Sequence, residues 1–340
     1  MILVSGGTGL VGAHLLLSLC KEGHAPRALY RSEESINAVI ALFKKHDSQD
    51  LQLFKQIEWV QADLLDIPAL EIAFKGITLV YHCAALISFN PKDYQKLKRT
   101  NVHGTANMVN LALDFGVKKM CYVSSIASLG KAAKGTKITE ETTWNNEHPN
   151  VYAMSKYEAE LEVWRGIQEG LKAVIINPGV ILGAGFWNKG SGKLFNFAAK
   201  GLPFYFPGGS GFVGVADVVK CMLTAMESDH SEQRYICVSE NLSYRDLFEK
   251  MSTGFGKKTP TYEIPIILLE VMWRLDYLKS FILGGKRLLS KQTVQGLKSQ
   301  DSYAAQKSKT ELKMSYTPIS EVIRSCCMAH PKSSQRKPIN

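Results

Sequence analysis

A chain of 340 residues, 45% apolar and 21% charged, suits one large α/β domain or two unequal lobes and can bury a core without disulfides or metals. Its seven cysteines, an odd number sitting mostly in apolar runs with no C-x-x-C pair, argue against a disulfide framework or a zinc site and for reduced thiols in a cytoplasmic protein. The net charge of +10 is spread along the chain without an aromatic-basic module, which argues against nucleic acid as a partner.

The chain opens on an apolar strand, Ile2–Val4, with no basic region or cleavage site of a signal peptide. Leu10–Cys20 reads as a helix stopped by Gly23, and Arg27–Tyr30 as the second strand. Ser32 caps a helix running toward Lys45, and Ile57–Val60 is the third strand. Asp66 caps and Pro68 starts a short helix ending at Gly76. Thr78–His82 is strand four, followed by a long helix from Asp93 to Gly116. Lys119–Ser124 is strand five, Asn150 to Gly170 a helix, and Lys172–Ile176 strand six. After Pro178 the rhythm loosens. A helix near Leu194–Ala199 stops at Gly201, a strand lies near Phe212–Val215, Asp217 caps a helix, and a strand follows at Tyr235–Val238. Segments from Ser243 onward read mostly helical.

Strands alternating with helices predict an α/β fold: a Rossmann doubly wound parallel sheet with a smaller, mostly helical C-terminal substrate lobe. The expected division is a dinucleotide-binding domain over 1–180 with 212–240 returning to it, a substrate lobe from 181–211 and 241–330, and a disordered tail over 331–340. The longest apolar stretch, Ile264–Trp273, is broken by Glu270 and too short to span a bilayer. The surrounding Ile264–Leu283 region reads as an ordinarily packed helix, with an amphipathic helix resting on a membrane as the alternative.

The first turn carries the sharpest chemistry. Gly6, Gly9 and Gly12 follow a strand and open a helix. Gly6 permits the tight turn, Gly9 a close backbone approach to a pyrophosphate, and Gly12 close packing of the helix on the sheet. With Thr8, Leu10 and Val11 they offer free N–H groups and a positive dipole end to phosphates. Where an NAD-binding fold places an acid on the ribose, this chain has Tyr30-Arg31. Arg31 can hold a 2′-phosphate bidentately, which favours NADP, with NAD as the alternative. Asp63 is expected beside the adenine, or else as a turn residue.

Tyr152 and Lys156 stand at i and i+4, on one helix face. A phenol has an ordinary pKa near 10, and an adjacent ammonium would lower it toward use in proton transfer. Ser124-Ser125 falls at the end of strand five, where an open α/β sheet binds ligands, and a hydroxyl there can hold a substrate oxygen against the Tyr. The expected catalytic set is Ser125, Tyr152 and Lys156, with no metal.

Together these residues resemble the extended short-chain dehydrogenase/reductase family, also called the NAD-dependent epimerase/dehydratase superfamily. The resemblance runs over about residues 1–328. It is carried by Ser5 to Gly12, Asp63-Leu64, His82-Cys83-Ala84-Ala85, Asn101-Val102-His103-Gly104-Thr105, Ser124-Ser125, Tyr152 with Lys156, Pro178-Gly179 through Gly183, and Val215-Ala216-Asp217-Val218. Arg31, the Ala85–Phe89 segment and Arg234-Tyr235-Ile236-Cys237 are most similar to the dihydroflavonol-reductase and hydroxysteroid-dehydrogenase branch. The resemblance implies that Leu64, Cys83, Ala84, Ala85, Tyr152, Lys156, Pro178 and Val180 also line the cofactor, with Lys156 on the nicotinamide ribose and the backbone near Pro178 meeting the carboxamide. It further implies that the helices near Asn101–Leu113 and Tyr152–Trp164 pair in a homodimer.

The reading that results is an NADP-linked carbonyl reductase or alcohol dehydrogenase acting on a small molecule. A nucleotide-sugar epimerase or dehydratase with retained NAD is the first rival. Asn177, where such enzymes carry a substrate-touching Asn, supports it, and Lys189, Lys193 and Arg234 are its candidate cations. A non-catalytic NADP-sensing protein is the second. The aromatic group Phe186, Trp187, Phe204, Tyr205, Phe206 and Phe212 suits a substrate pocket or a lobe core equally.

Overall fold

Short apolar runs become strands because parallel strands covered on both faces carry side chains that are buried on both. The computed structural model describes residues 1–46, 50–133, 135–145, 149–201, 203–282 and 290–332. Its strands are β1 (Ile2–Ser5), β2 (Arg27–Tyr30), β3 (Glu58–Gln61), β4 (Leu79–His82), β5 (Lys119–Val123), β6 (Ala173–Pro178), β7 (Val180–Leu182), β8 (Phe204–Tyr205), β9 (Gly209–Gly214), β10 (Gln233–Cys237), β11 (Glu240–Ser243) and β12 (Tyr262–Glu263). Seven of them form one parallel sheet in the order β10-β6-β5-β4-β1-β2-β3. The order reverses between β1 and β4, and the carboxyl ends of the strands on either side of that reversal are where such sheets hold ligands.

Alternation along each strand sends side chains to two separate cores. Val4, Cys121, Val123, Val174 and Ile176 face the Leu10–Lys21 and Val215–Glu227 helices, meeting Leu15, Leu16, Leu19, Val218 and Met222. Leu3, Met120, Tyr122, Ala173 and Ile175 face the other side, where the Ile67–Phe74, Gly104–Asp114 and Val151–Gln168 helices supply Leu70, Phe74, Met108, Ala159 and Val163. Asp66 caps its helix as read, accepting from the Ala69 N–H. The helix expected from Asp93 is broken into a 3₁₀ turn at Pro91–Asp93, a helical turn at Tyr94–Leu97, a π-helical segment at Lys98–His103 and the Gly104–Asp114 helix. The π segment turns Asn101 inward, a local irregularity that sequence periodicity cannot reveal.

Three expectations change. Of the segment 212–240, the Val215–Glu227 helix and β10 join the large sheet, whereas β9 pairs with β7 and, antiparallel, with β11 in a separate three-stranded sheet. Asp217 is not the helix cap. Gly214 holds that position, and the buried Asp217 carboxylate accepts from the Thr317 N–H at 2.9 Å and hydroxyl at 3.1 Å, pinning a distant C-terminal segment. The Ile266–Ile282 helix is not ordinarily packed. Leu269 is buried, but Ile267, Leu275 and Ile282 are 79%, 60% and 68% exposed.

Phe212, Tyr205, Phe195 and Phe248 are buried together in a third core, with Trp187 and Phe206 packed on it. Phe186 joins the large sheet's core, and Phe204 is exposed. The aromatic group is therefore mostly packing. Among the described residues no helix is long and apolar enough to cross a membrane. Residues 333–340 of the expected tail lie outside the described residues.

Candidate active site

The turn after β1 is built for close approach. Gly6 has a φ of +68°, and a Cβ there would lie 2.6 Å from the Ala84 nitrogen. A Cβ on Gly12 would run into the Gly6 carbonyl, so Gly12 packs the helix onto the turn itself rather than onto the sheet. At Gly9 the corresponding Cβ would sit 3.3 Å from the Gly6 oxygen. The Leu10–Lys21 helix that follows has Gly9 as its N-cap, no side-chain cap and no acid in its first turn. Its first N–H groups, with Thr8, Leu10 and Val11 at the turn, are thus directed to an anion by the helix dipole. These features fit a dinucleotide pyrophosphate.

Most of the expected neighbours stand at the carboxyl ends of the strands. Cys83 and Ala84 leave β4 beside the turn: the Cys83 N–H donates to the Ser5 carbonyl and the Ala84 N–H to Ser5 Oγ. Burial pushes the Cys83 thiol up to about 12, so it stays protonated and unreactive. Ala85 is exposed. Pro178 ends β6 and is buried, and Val180 pairs with Phe212. Arg31 is exposed just past β2. Asp63 is exposed and accepts from the Leu65 N–H, a turn role, while Leu64 is buried against Gly104. Among the described residues there is no cluster of metal-ligating side chains.

Asn150 opens the Val151–Gln168 helix by accepting from the Ala153 N–H at 2.8 Å, and Tyr152 and Lys156 lie in its first two turns. Tyr152 meets Ser125, which caps a 3₁₀ turn just beyond β5 through its contact with the Ala127 N–H. Burial raises the Tyr152 phenol to about 12, and the Ser125 hydrogen bond opposes this. The Phe89 ring stands edge-on to Tyr152 at 5.6 Å.

Lys156 departs from expectation. It is buried, and its ammonium donates to the Tyr122 hydroxyl at 2.7 Å and the Val123 carbonyl at 2.8 Å rather than standing against Tyr152. A buried ammonium takes its nearest strong acceptors, and these belong to β5. Burial lowers it to about 7, and the Glu160 carboxylate partly counters this. In this arrangement burial sets the Tyr152 shift, with the Ser125 hydrogen bond against it, while β5 holds the Lys156 ammonium.

Sequence reasoning missed two buried polar networks. One runs Ser5–His82–Thr105–Tyr122–Lys156. His82 shares hydrogen bonds with Ser5 Oγ at 2.6 Å and Thr105 Oγ1 at 3.0 Å, and Thr105 touches the Tyr122 hydroxyl. Burial, then the Lys156 charge, pulls His82 down to about 3, so its ring is neutral. The chain joins the turn after β1 to the Val151–Gln168 helix through side chains alone.

The second network centres on Glu160, buried one turn beyond Lys156. Its carboxylate accepts from Ser124 (2.6 Å), Ser128 (2.7 Å), Asn177 (2.9 Å), Arg234 (3.2 Å) and Trp164 (3.4 Å). This separates the two adjacent serines: Ser124 serves Glu160 and Ser125 meets Tyr152. The Asn177 amide also donates to the Ser125 carbonyl at 3.1 Å, from a fully buried position. Arg234 donates in addition to the Glu140 carbonyl. Two features weighed for a sugar-nucleotide substrate are thereby committed inside the protein, leaving Lys189 and Lys193, both exposed. The signal for Glu160 was its i+4 spacing from Lys156.

The model of the NAD dependent epimerase/dehydratase family matches residues 2–237. A putative dihydroflavonol 4-reductase of Synechocystis sp. is 31% identical over 274 residues, which are 78% of this chain and 75% of that one. The solved structure of gox2253 superposes with a TM-score of 0.81 at 27% identity, covering 99% of both chains. That of Thermus thermophilus UDP-glucose 4-epimerase in complex with NAD has a TM-score of 0.72 at 20% identity, covering 96% of this chain and 98% of that one. A turn shaped for a pyrophosphate, the doubly wound sheet beneath it and a family match over more than two-thirds of the chain agree, and the protein belongs to the NAD-dependent epimerase/dehydratase family as an NAD(P)-dependent oxidoreductase of the extended short-chain dehydrogenase/reductase type.

Proposed function

We propose that this chain is an NADP-linked carbonyl reductase or alcohol dehydrogenase acting on a small molecule. The reading is carried by one observation: the Tyr152 phenol meets Ser125 at the carboxyl end of β5, two strands from the one that leads into the dinucleotide turn. Ser125 orients the substrate oxygen, and Tyr152 gives that oxygen its proton in reduction or takes it in oxidation. Lys156, one turn on and buried, holds the nicotinamide ribose and anchors the helix to β5. A bound nicotinamide supplies or accepts the hydride. Gly6, Thr8, Gly9, Leu10, Val11 and Gly12 hold its pyrophosphate, and Arg31 its 2′-phosphate. Asp63 and Leu64 lie on the adenine side, and Cys83, Ala84, Ala85, Pro178 and Val180 on the nicotinamide side. Residues 181–211 and 241–330 form the substrate side. A homodimer and a reducing, cytoplasmic setting complete the proposal; the described cysteines are all free thiols.

The epimerase reading loses ground because Arg234 and Asn177 are turned to Glu160. A sensor would have no use for the Tyr152–Ser125 pair. Replacing Tyr152 by Phe should lower turnover by about 10²–10⁴-fold, the usual worth of a positioned acid–base group, while NADPH still quenches protein fluorescence with unchanged affinity. Persisting turnover, or loss of binding, would overturn the assignment. Preference for exchangeable NADPH over NADH tests Arg31; NAD retained through purification would favour the epimerase.

A further inference from the structure

The Ile266–Ile282 helix turns its apolar side outward. Leu268, Val271, Leu275, Leu278 and Ile282 recur at spacings of three and four, so they share one helix face, and each is between 45% and 68% exposed. Ile267 borders the stripe at 79% exposure. The opposite edge, with Leu269 and Ser280, is the buried one. A folded protein rarely leaves such a face to water without a use for it.

Charge identifies what covers the face. Arg274 and Lys279 fall on the two flanks of the stripe by helical spacing. Glu270 is held in ion pairs with Lys298 at 2.6 Å and with Arg274 at 2.8 Å, so two cations outnumber its single charge there. Between residues 257 and 298 the sequence has eight Lys and Arg against three Asp and Glu, a net of five, which is half of the whole chain's +10 in about an eighth of its length. An apolar stripe edged by cations in a strongly basic segment is the pattern that lies in the plane of an anionic bilayer. A second copy of this chain would bring the same excess of positive charge against itself.

We propose that the Ile266–Ile282 helix docks the protein on anionic lipid bilayers, with its apolar stripe in the headgroup boundary and Arg274 and Lys279 among the lipid phosphates or carboxylates. The helix rests on the surface without crossing it.

The test is flotation of the full chain with phosphatidylcholine vesicles, with and without phosphatidylserine, at low and high salt. The wild type should float with the phosphatidylserine vesicles at low salt and release at high salt. A Val271→Glu, Leu275→Glu variant should bind them about tenfold or more weakly, since both changes put charge into the apolar contact. Its circular dichroism and NADPH binding should match the wild type, because both sites face outward. Wild type that stays with the free protein at low salt, or a variant that floats as well as wild type, overturns the proposal. So does a wild-type dimer, without vesicle binding, that the double variant converts to monomer; that result gives the face to a second copy.

Discussion

At Tyr152 the direction of the pKa change has a kinetic consequence. A phenol raised to about 12 is protonated at neutral pH and ready to donate. In the proposed reaction, carbonyl reduction should therefore vary little between about pH 6 and 9, while alcohol oxidation, which needs the phenolate, should rise by up to about tenfold per pH unit. Initial rates in the two directions at saturating cofactor check this; a flat oxidation profile would count against Tyr152 as the proton carrier. Glu160 gives a structural counterpart. A Gln in its place keeps one acceptor oxygen and sets an amide N–H₂ against donors on one side, either Ser124, Ser128 and Asn177 or Arg234 and Trp164. Glu160→Gln should lower unfolding stability by about 1–3 kcal/mol in urea titration. Ser125 and the glycines could be named from sequence because each follows a strand whose limits are visible, and Tyr152 because of its spacing from Lys156. The partners of Arg234, Asn177 and Lys156 could not, since a buried side chain takes acceptors on elements remote in the chain, and local spacing does not record them.

At the scale of elements, two short devices set the site. Asn150 starts the helix that bears Tyr152, and Asn150→Ala should cost about 0.5–2 kcal/mol in thermal or urea unfolding. The collision of a Gly12 Cβ with the Gly6 carbonyl makes Gly12→Ala an overpacking change of about 1–3 kcal/mol placed in the phosphate turn. NADPH affinity should drop by about tenfold or more, whereas Gly296→Ala, where a Cβ meets open space, should leave it unchanged. The strands of the large sheet were legible because burial on both faces leaves continuous apolar runs bounded by caps and glycines. The place of β9 was not, since its pattern fits either sheet. Nor was the exposure of the Ile266–Ile282 helix, because an apolar stripe looks the same whether a core or a lipid surface receives it.

Across the whole molecule, the buried His82 ties stability to acid. Its pKa is about 3 when folded and near 6.5 in an unfolded chain. Below about pH 6.5 the unfolded state binds a proton that the folded state refuses, so this residue should subtract about 1.4 kcal/mol per pH unit down to about pH 3. Above that window it has no effect. Comparing wild type with His82→Asn in urea at pH 7 and pH 5 isolates the contribution; equal losses for the two proteins would show that His82 is not the group responsible.

The anchoring of the C-terminal segment governs the order in which the chain can become folded. The Gln306–Glu311 helix lies on β10, the edge strand of the large sheet, with Ser308 bonded to the Ile236 carbonyl and Tyr235 to Glu311. Tyr303 bridges to Ile138, Thr317 closes on Asp217, and Leu312 and Met314 fill the first core. A nucleotide-binding half that finished early would leave these sockets empty. On the ribosome, the sheet gains these contacts only after residues 303–317 have been made, and contacts of such sequence separation close slowly. A chain stopped at about residue 300 keeps every residue of the dinucleotide turn and of the Val151–Gln168 helix yet lacks the segment that packs on β10 and Asp217, and a nascent protein passes through that state each time it is made.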